Sequence, residues 1–447
     1  MEKNQALRLT CDNLAAEMEG ICRMDGMAVF VKGMLPGECG QVLITKAQKS
    51  FAFGRLVSLE NESPYRQTPA CPAYKRCGGC TCQHLQYAQT LMYKRRQVAD
   101  CFKRIGGLDV TVPPVIGMES PFHYRNKSAL PVGGQAKNVK MGFYAPRSHD
   151  IIPIDSCLIA MEPINLVQAA FKKWMEENGI VPYNEFTHTG LVRHLVTRVN
   201  RLGEAIAIIV INGNQLPFEK ELIAALSMVQ AIYISPNRAR TNVIFGEKVR
   251  RLYGKNEFTD TIAGLTFKLS PQSFFQVNPV QTEVLYQTAL DFCGLKGDET
   301  VLDIYCGAGT ISLMLARKAK QVLGIEIVEA AIENAKANAL YNGIGNADFL
   351  CGAAENVLPK LIAEGYRPDI IALDPPRKGA EPAVIAAIAE AAPEKIVYIS
   401  CNPATQARDA KLLFEAGYHI TKCQPVDMFC YTSGVENVIL LEREGKA

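Results

Sequence analysis

The chain has no apolar run long enough to span a bilayer, which excludes helical channels and transporters. It has no internal repeat, so a solenoid or propeller is not expected. No second Cys-x-x-Cys follows Cys77–Cys80, so a two-pair zinc ribbon is not expected. The opening Met1-Glu2-Lys3-Asn4-Gln5 is polar and carries an acid, which predicts no secretory leader and a cytoplasmic location. In that reducing compartment the 15 cysteines are not read as a disulfide framework. They are buried small hydrophobes, metal ligands or nucleophiles. Nothing signals a membrane contact, an obligate protein partner or an oligomer.

At 447 residues, 48% apolar and 21% charged, the chain has the composition of a soluble globular protein of two or three domains. The net charge of +3 is unevenly spread. Residues 1–60 are neutral, residues 61–150 carry thirteen basic and five acidic side chains, and the remainder is acidic. A basic middle points to a polyanion partner.

Short strands with turns at Asp25-Gly26 and Pro36-Gly37 predict a small β-barrel over 1–60, with strands at Leu7–Leu9, Gly26–Val31, Gln41–Ile44 and Phe51–Leu56. A Pro/Gly/Cys segment follows, then a helix over 86–105, hairpin strands around Gly133-Gly134 and Ala145-Pro146, and a helix over 161–178. From about 190 to 255 the pattern is strand, helix, strand. The last third alternates strand and helix, which predicts a doubly wound, Rossmann-like parallel sheet. The expected fold is thus multidomain α/β: barrel 1–60, central α/β domain 61–270, and catalytic domain 271–447, with helix 86–105 free to pack on the last.

Asp303-Ile304-Tyr305-Cys306-Gly307-Ala308-Gly309-Thr310 joins a strand to a helix, where glycines let a ligand approach the backbone. Glu326 ends the next strand and is placed to hold ribose hydroxyls. Ser312 stands where a dinucleotide fingerprint wants its third glycine, which weakens that reading. An acid before the glycines suits an ammonium-bearing ligand without phosphate, such as S-adenosylmethionine.

Two strings end later strands: Asp374-Pro375-Pro376-Arg377-Lys378-Gly379 and Tyr398-Ile399-Ser400-Cys401-Asn402-Pro403. Strand ends on one sheet edge share a crevice, so a carboxylate and a thiol face one pocket. Methylation of pyrimidine C5 needs this pairing. A thiolate adds to C6, C5 becomes nucleophilic, and a base removes the C5 proton. Cys401 is the candidate nucleophile, its thiolate favoured by the following turn and helix start, and Glu436 the candidate base. Amino-group methyltransferases place an aromatic where Arg377 stands, which argues against amino chemistry. Cys306, Cys351, Cys423 and Cys430 are expected to be packing residues.

Cys71-x5-Cys77-Gly78-Gly79-Cys80 can wrap a metal, which needs a fourth ligand. Cys82 is close in sequence, and Cys157 fits better because the hairpin around 140–155 can fold back on the loop. Zinc and an iron–sulfur cluster both remain open on spacing.

The paired strings at 374–379 and 396–405, with their sixteen-residue gap, resemble the signature of the TrmA-like RNA uridine-C5 methyltransferases. Val426–Glu436 resembles that family's C-terminal motif, with Cys430 in place of the usual proline and Gly434 in place of a histidine. Residues 6–59 resemble a TRAM domain, an RNA-binding barrel of the OB type. The resemblance implies Cys401 as nucleophile, Glu436 as base, and Gln276, Tyr305, Gly307, Glu326 and Asp374 at the cofactor or uracil. It implies S-adenosylmethionine as cofactor and a [4Fe-4S] cluster, rather than zinc, on Cys71, Cys77, Cys80 and Cys157. It also implies phosphate contacts from Arg125, Lys127, Arg193 and Arg198. The implied substrate is RNA, 23S ribosomal RNA first and transfer RNA second; a non-catalytic iron–sulfur RNA-binding protein is the alternative of a different class.

Overall fold

The computed structural model describes residues 1–273 and 275–443. Phe274, within the Ser273–Asn278 string, and the last four residues lie outside the described residues. Strands β1 (Ala6–Leu14), β2 (Gly20–Met24), β3 (Met27–Lys32), β4 (Cys39–Ala47) and β5 (Phe51–Leu59) close into a barrel in the order β1-β2-β3-β5-β4. Strand alternation turns Leu7, Leu9 and Cys11 inward, against Val29, Val31, Val42 and Ile44. Strand β2 is not evident from sequence because it holds one β-branched residue, Ile21.

Helix α1 (Tyr87–Cys101) runs into a π-helical turn, Phe102–Gly106. Val98 and Phe102 share a core with Leu302, Tyr398 and Leu413, so this helix packs on the C-terminal layer.

The central layer comprises β6 (Lys127–Gln135), β7 (Asn138–Tyr144), β8 (Ile151–Pro153), α2 (Glu162–Glu177), β9 (Val192–Val199), β10 (Ala205–Ile211), α3 (Glu219–Ala225), β11 (Val229–Pro236) and β12 (Arg250–Gly254). The sheet order is β12-β11-β10-β9-β6-β7-β8. Gly133 and Gly134 end β6 rather than form the turn, which falls at Ala136–Lys137. Every residue of β9 and β10 is buried. Leu195 and Ile209 face Phe171 and Trp174 of α2, while Val196, Ile206 and Ile208 face the C-terminal layer. A sheet covered on both faces needs such continuous apolar strands.

A hairpin, β13 (Phe258–Ile262) and β14 (Leu265–Leu269), packs with α4 (Pro279–Cys293) in the catalytic core. Then follow β15 (Thr300–Ile304), α5 (Thr310–Ala316), β16 (Gln321–Glu326), α6 (Glu329–Tyr341), β17 (Ala347–Cys351), α7 (Ala354–Ala363), β18 (Ile370–Leu373), α8 (Pro382–Ala391), β19 (Lys395–Ser400), α9 (Pro403–Glu415), β20 (Tyr418–Val426) and β21 (Glu436–Arg443). Their order is β17-β16-β15-β18-β19-β21-β20, with β21 antiparallel to both neighbours. The order reverses between β15 and β18, where a doubly wound sheet opens a crevice. Among the described residues no helix is long and apolar enough to cross a membrane.

Candidate active site

A cavity of about 810 Å³ opens at the carboxyl ends of β15, β16 and β18, and Gln276, Tyr305, Gly307, Glu326 and Asp374 all line it. Glu326 is fixed by two backbone donors: Gly307 N–H donates to Oε2 at 3.2 Å and Val328 N–H to Oε1 at 2.9 Å. Tyr305 holds φ at 69°, a strained value for a non-glycine residue, and this bends the chain around the cavity mouth. Gly309, at φ 80°, leaves no room for a side chain, since a Cβ would lie 3.0 Å from Ala335. Asp303 does not face the cavity. It lies buried beneath the turn, where the Ser312 hydroxyl donates to one carboxyl oxygen and the other lacks a partner. Burial pushes Asp303 up to about 7. The acid at the cavity wall is Asp374, raised by burial to about 7.

Cys401 and Glu436 meet across two adjacent strands. The β19–β21 ladder ends at Ser400 opposite Asn437, so the next step sets Cys401 against Glu436. The neighbouring strand β18 ends at Leu373, directly before Asp374. Asn402 ties the two signature strings together, its side chain donating to the Arg377 carbonyl at 2.9 Å. It also caps α9 by accepting from Ala404 N–H at 3.1 Å.

This helix start does not win the contest for the thiol. Burial, then the charges of Glu436 and Asp374, push Cys401 up to about 11, against a smaller opposing pull from Arg377. The expectation of a favoured thiolate is therefore corrected for the free protein. Burial and then Asp374 raise Glu436 to about 8, and again Arg377 opposes. Three acids share one desolvated crevice with one guanidinium, so each resists ionisation while the others are charged.

The three loop cysteines Cys71, Cys77 and Cys80 come into one region with Cys157. Gly78 N–H donates to the Tyr144 carbonyl at 3.2 Å, and a Cβ at Gly78 would lie 2.8 Å from that oxygen, so glycine lets the loop dock on β7. Burial raises Cys80 to about 12, helped by the charges of Cys157, Cys77 and Cys71. Gly79 N–H donates to Cys77 Sγ and Gln83 Nε2 to Cys80 Sγ, both at 3.3 Å. Among the described residues no group of three or more His, Cys, Asp or Glu side chains is gathered to hold a metal ion. Cys82 turns away, buried against Met18 and Tyr431. Cys306, Cys423 and Cys430 are buried, whereas Cys351 is exposed.

Some basic side chains assigned to phosphate serve the interior instead. Arg193 is buried and donates to the Asn237 and Ala239 carbonyls at 2.8 and 2.7 Å. Arg198 is buried and donates to the Ser273 carbonyl, holding the segment that leads to Gln276. Arg66 pairs with the buried Glu38, tying the barrel to the segment after it. Sequence reasoning missed an aromatic group on the barrel wall: Phe30, Phe51 and Phe53, with ring centroids 5.6 to 5.9 Å apart. Exposed Arg147 lies over Phe53, 5.4 Å from its centroid. The alternation Phe51-x-Phe53 on one strand was the available signal.

The profile of the tRNA (uracil-5-)-methyltransferase family matches residues 86–444, and that of the TRAM domain residues 2–57. A protein of Clostridium tetani named an uncharacterized RNA methyltransferase is 44% identical over 100% of this chain and 98% of its own length. One of the same name from Bacillus cereus is 45% identical over 100% of this chain and 98% of its own. The crystal structure of the Pyrococcus abyssi tRNA (uracil-54, C5)-methyltransferase with S-adenosyl-L-homocysteine superposes with a TM-score of 0.80, at 27% identity. It covers 97% of this chain and 100% of that one.

Proposed function

The chain belongs to the tRNA (uracil-5-)-methyltransferase family, S-adenosylmethionine-dependent RNA methyltransferases, and we propose that it methylates C5 of a uridine in 23S ribosomal RNA through a covalent adduct at Cys401. The observation that carries the reading is the register that sets Cys401 opposite Glu436, one strand from Asp374. The cavity fits the cofactor: Glu326, held by two N–H donors, suits ribose hydroxyls, and Asp374 at the wall suits a cationic group. Bound there, S-adenosylmethionine supplies an electrophilic methyl group to C5.

Cys401 gives its proton to solvent water and its sulfur adds to C6, which places the electron pair at C5. After C5 is methylated, Glu436 takes the C5 proton and the C6–S bond breaks, returning the thiolate. Arg377, the cation that favours both the thiolate and the ionised Glu436, assists the charged forms. A crevice that keeps its acids neutral when empty limits activity at low pH, and kcat/KM is expected to rise with pH through about 8.

Labelled cofactor incubated with undermodified ribosomal and transfer RNA tests the reading. Label at C5 of a 23S uridine is expected. Label in transfer RNA alone would move the substrate to the second reading, which the name of the Pyrococcus neighbour favours. Label in neither would end the enzyme reading. Glu436→Gln is expected to trap the RNA–Cys401 adduct, because the C5 proton has no acceptor. C5 methylation by Cys401→Ala would rule the covalent route out.

We also infer that Cys71, Cys77, Cys80 and Cys157 hold a [4Fe-4S] cluster. The donor set is four thiols with N–H···S bonds to two of them, which suits thiolate ligands. Cys71, Cys77 and Cys157 all lie within electrostatic reach of Cys80, which supports one shared site for the four thiols. Four iron and four sulfide per chain are expected on anaerobic purification; a colourless zinc protein overturns the assignment.

A further inference from the structure

Residues 427–435 join Val426 of β20 to Glu436 of β21, which are cross-strand partners. This turn has no regular structure of its own, yet its carbonyls are held in succession from outside. Gln281 of α4 donates to the Asp427 carbonyl at 3.3 Å, and Asn278 to that of Met428 at 3.1 Å. Lys94 of α1 donates to the Phe429 carbonyl at 3.0 Å, and the Tyr124 hydroxyl to that of Cys430 at 3.1 Å. Thr81 and Cys82, directly after the cysteine loop, donate their N–H groups to the Tyr431 carbonyl at 2.9 and 3.2 Å. The barrel joins as well, with the Ser433 hydroxyl donating to Glu17 at 2.9 Å.

At the centre is an ion pair with no exposure to water. Lys94 Nζ lies 2.5 Å from Asp427 Oδ1, and the Tyr87 hydroxyl donates to Asp427 Oδ2 at 2.7 Å. Lys94 thereby bridges the first and third residues of the turn, from a helix more than 300 positions away in the chain. A buried pair is a poor source of net stability but a strong constraint on geometry, because either charge alone in that place is unfavourable.

We propose that Lys94, through Asp427 and the Phe429 carbonyl, is a positioning residue for Glu436, and that the clamped turn 427–435 sets where the base stands over the uracil. This rests on the reading of Glu436 as the base that removes the C5 proton. The turn leaves the carboxyl where β21 begins, and a displacement of about 1 Å in a reacting group costs on the order of 10²-fold in rate. The clamp releases no group and touches no substrate; it fixes the direction of one carboxylate.

The test is Lys94→Met combined with Asp427→Asn, which removes both charges and keeps an acceptor for Tyr87. Tyr124→Phe, which deletes only the hydroxyl on the Cys430 carbonyl, is the second variant in case the first does not fold. Each is assayed for KM, kcat and RNA–protein adduct surviving denaturation, with Glu436→Gln as the control. Expected are a lowered kcat, unchanged KM for RNA, and adduct accumulating because proton loss alone is slowed. Folded variants with unchanged kcat, or with lowered kcat and no adduct while Glu436→Gln traps it, overturn the inference and leave the covalent reading standing. No adduct in Glu436→Gln itself overturns both.

Discussion

Cys401 stands between two carboxylates and one guanidinium, so its reactivity is set by neighbours that can be removed singly. Glu436 and Asp374 raise its pKa and Arg377 lowers it. Glu436→Gln is expected to shift the alkylation profile of Cys401 to lower pH, and Arg377→Gln to higher pH, read by mass spectrometry of the Cys401 peptide across a pH series. Glu436 also reports on stability. Its folded pKa, about 8, lies above the ordinary 4.5, so the folded state holds the proton longer than the unfolded chain. Stability from this group is full below about 4.5 and is lost as pH rises towards 8. Glu436→Gln is therefore expected to be more stable than the wild type at pH 8 by on the order of a few kcal/mol, read as a higher unfolding temperature, with the difference gone at pH 4.

At the scale of elements, the active site is made of strand ends, and that is why so much of it is legible. Asp374 and Cys401 close apolar strands, and strand ends in a parallel sheet share an edge whatever the loops do. The helix after Cys401 is equally legible from Asn402-Pro403, a cap followed by proline at the first helical position. Asn402→Ala removes both the cap on Ala404 and the tie to Arg377. A loss of about 1 kcal/mol in unfolding free energy is expected from the cap alone. A fall in kcat in Asn402→Asp, where aspartate keeps the cap but not the amide donor, would isolate the tie. Other features were not legible because they depend on elements far apart in the chain. Lys94 and Asp427 look like ordinary surface charges until α1 packs on the C-terminal layer. Arg193 and Arg198 look like phosphate contacts until β9 is covered on both faces. At Gly434, where the resemblance leads to an expected histidine, a Cβ would lie 3.1 Å from the Phe429 ring, so a side chain there requires that ring to shift by a few tenths of an ångström.

Across the whole molecule, the N-terminal half holds the turn before Glu436 and carries the TRAM barrel, and charge alone does not measure how such a surface meets RNA. Of the basic residues in the middle segment, Arg66 and Lys94 are consumed in internal ion pairs. Desolvation lowers the partly buried Lys127 to about 8, with Arg198 and Arg125 adding to the effect. Among the outward-facing candidates is Arg147, which lies over Phe53 of the cluster Phe30, Phe51 and Phe53. An aromatic surface with a guanidinium laid over it is suited to stacking on unpaired bases, worth about 1–3 kcal/mol per base. Phe53→Ala is therefore expected to raise KM for the RNA by about tenfold at moderate salt while kcat at saturating RNA is retained. The same substitution acting on a short hairpin that carries the target uridine, but cannot reach the barrel, should leave KM where it was. An equal loss on both substrates would place the effect in the fold rather than in stacking. Raising salt separates the contributions further, because phosphate contacts weaken with ionic strength whereas stacking persists. The ratio of wild-type to Phe53→Ala affinity should stay nearly constant from low to high salt, while the same ratio for an Arg147→Ala variant should shrink.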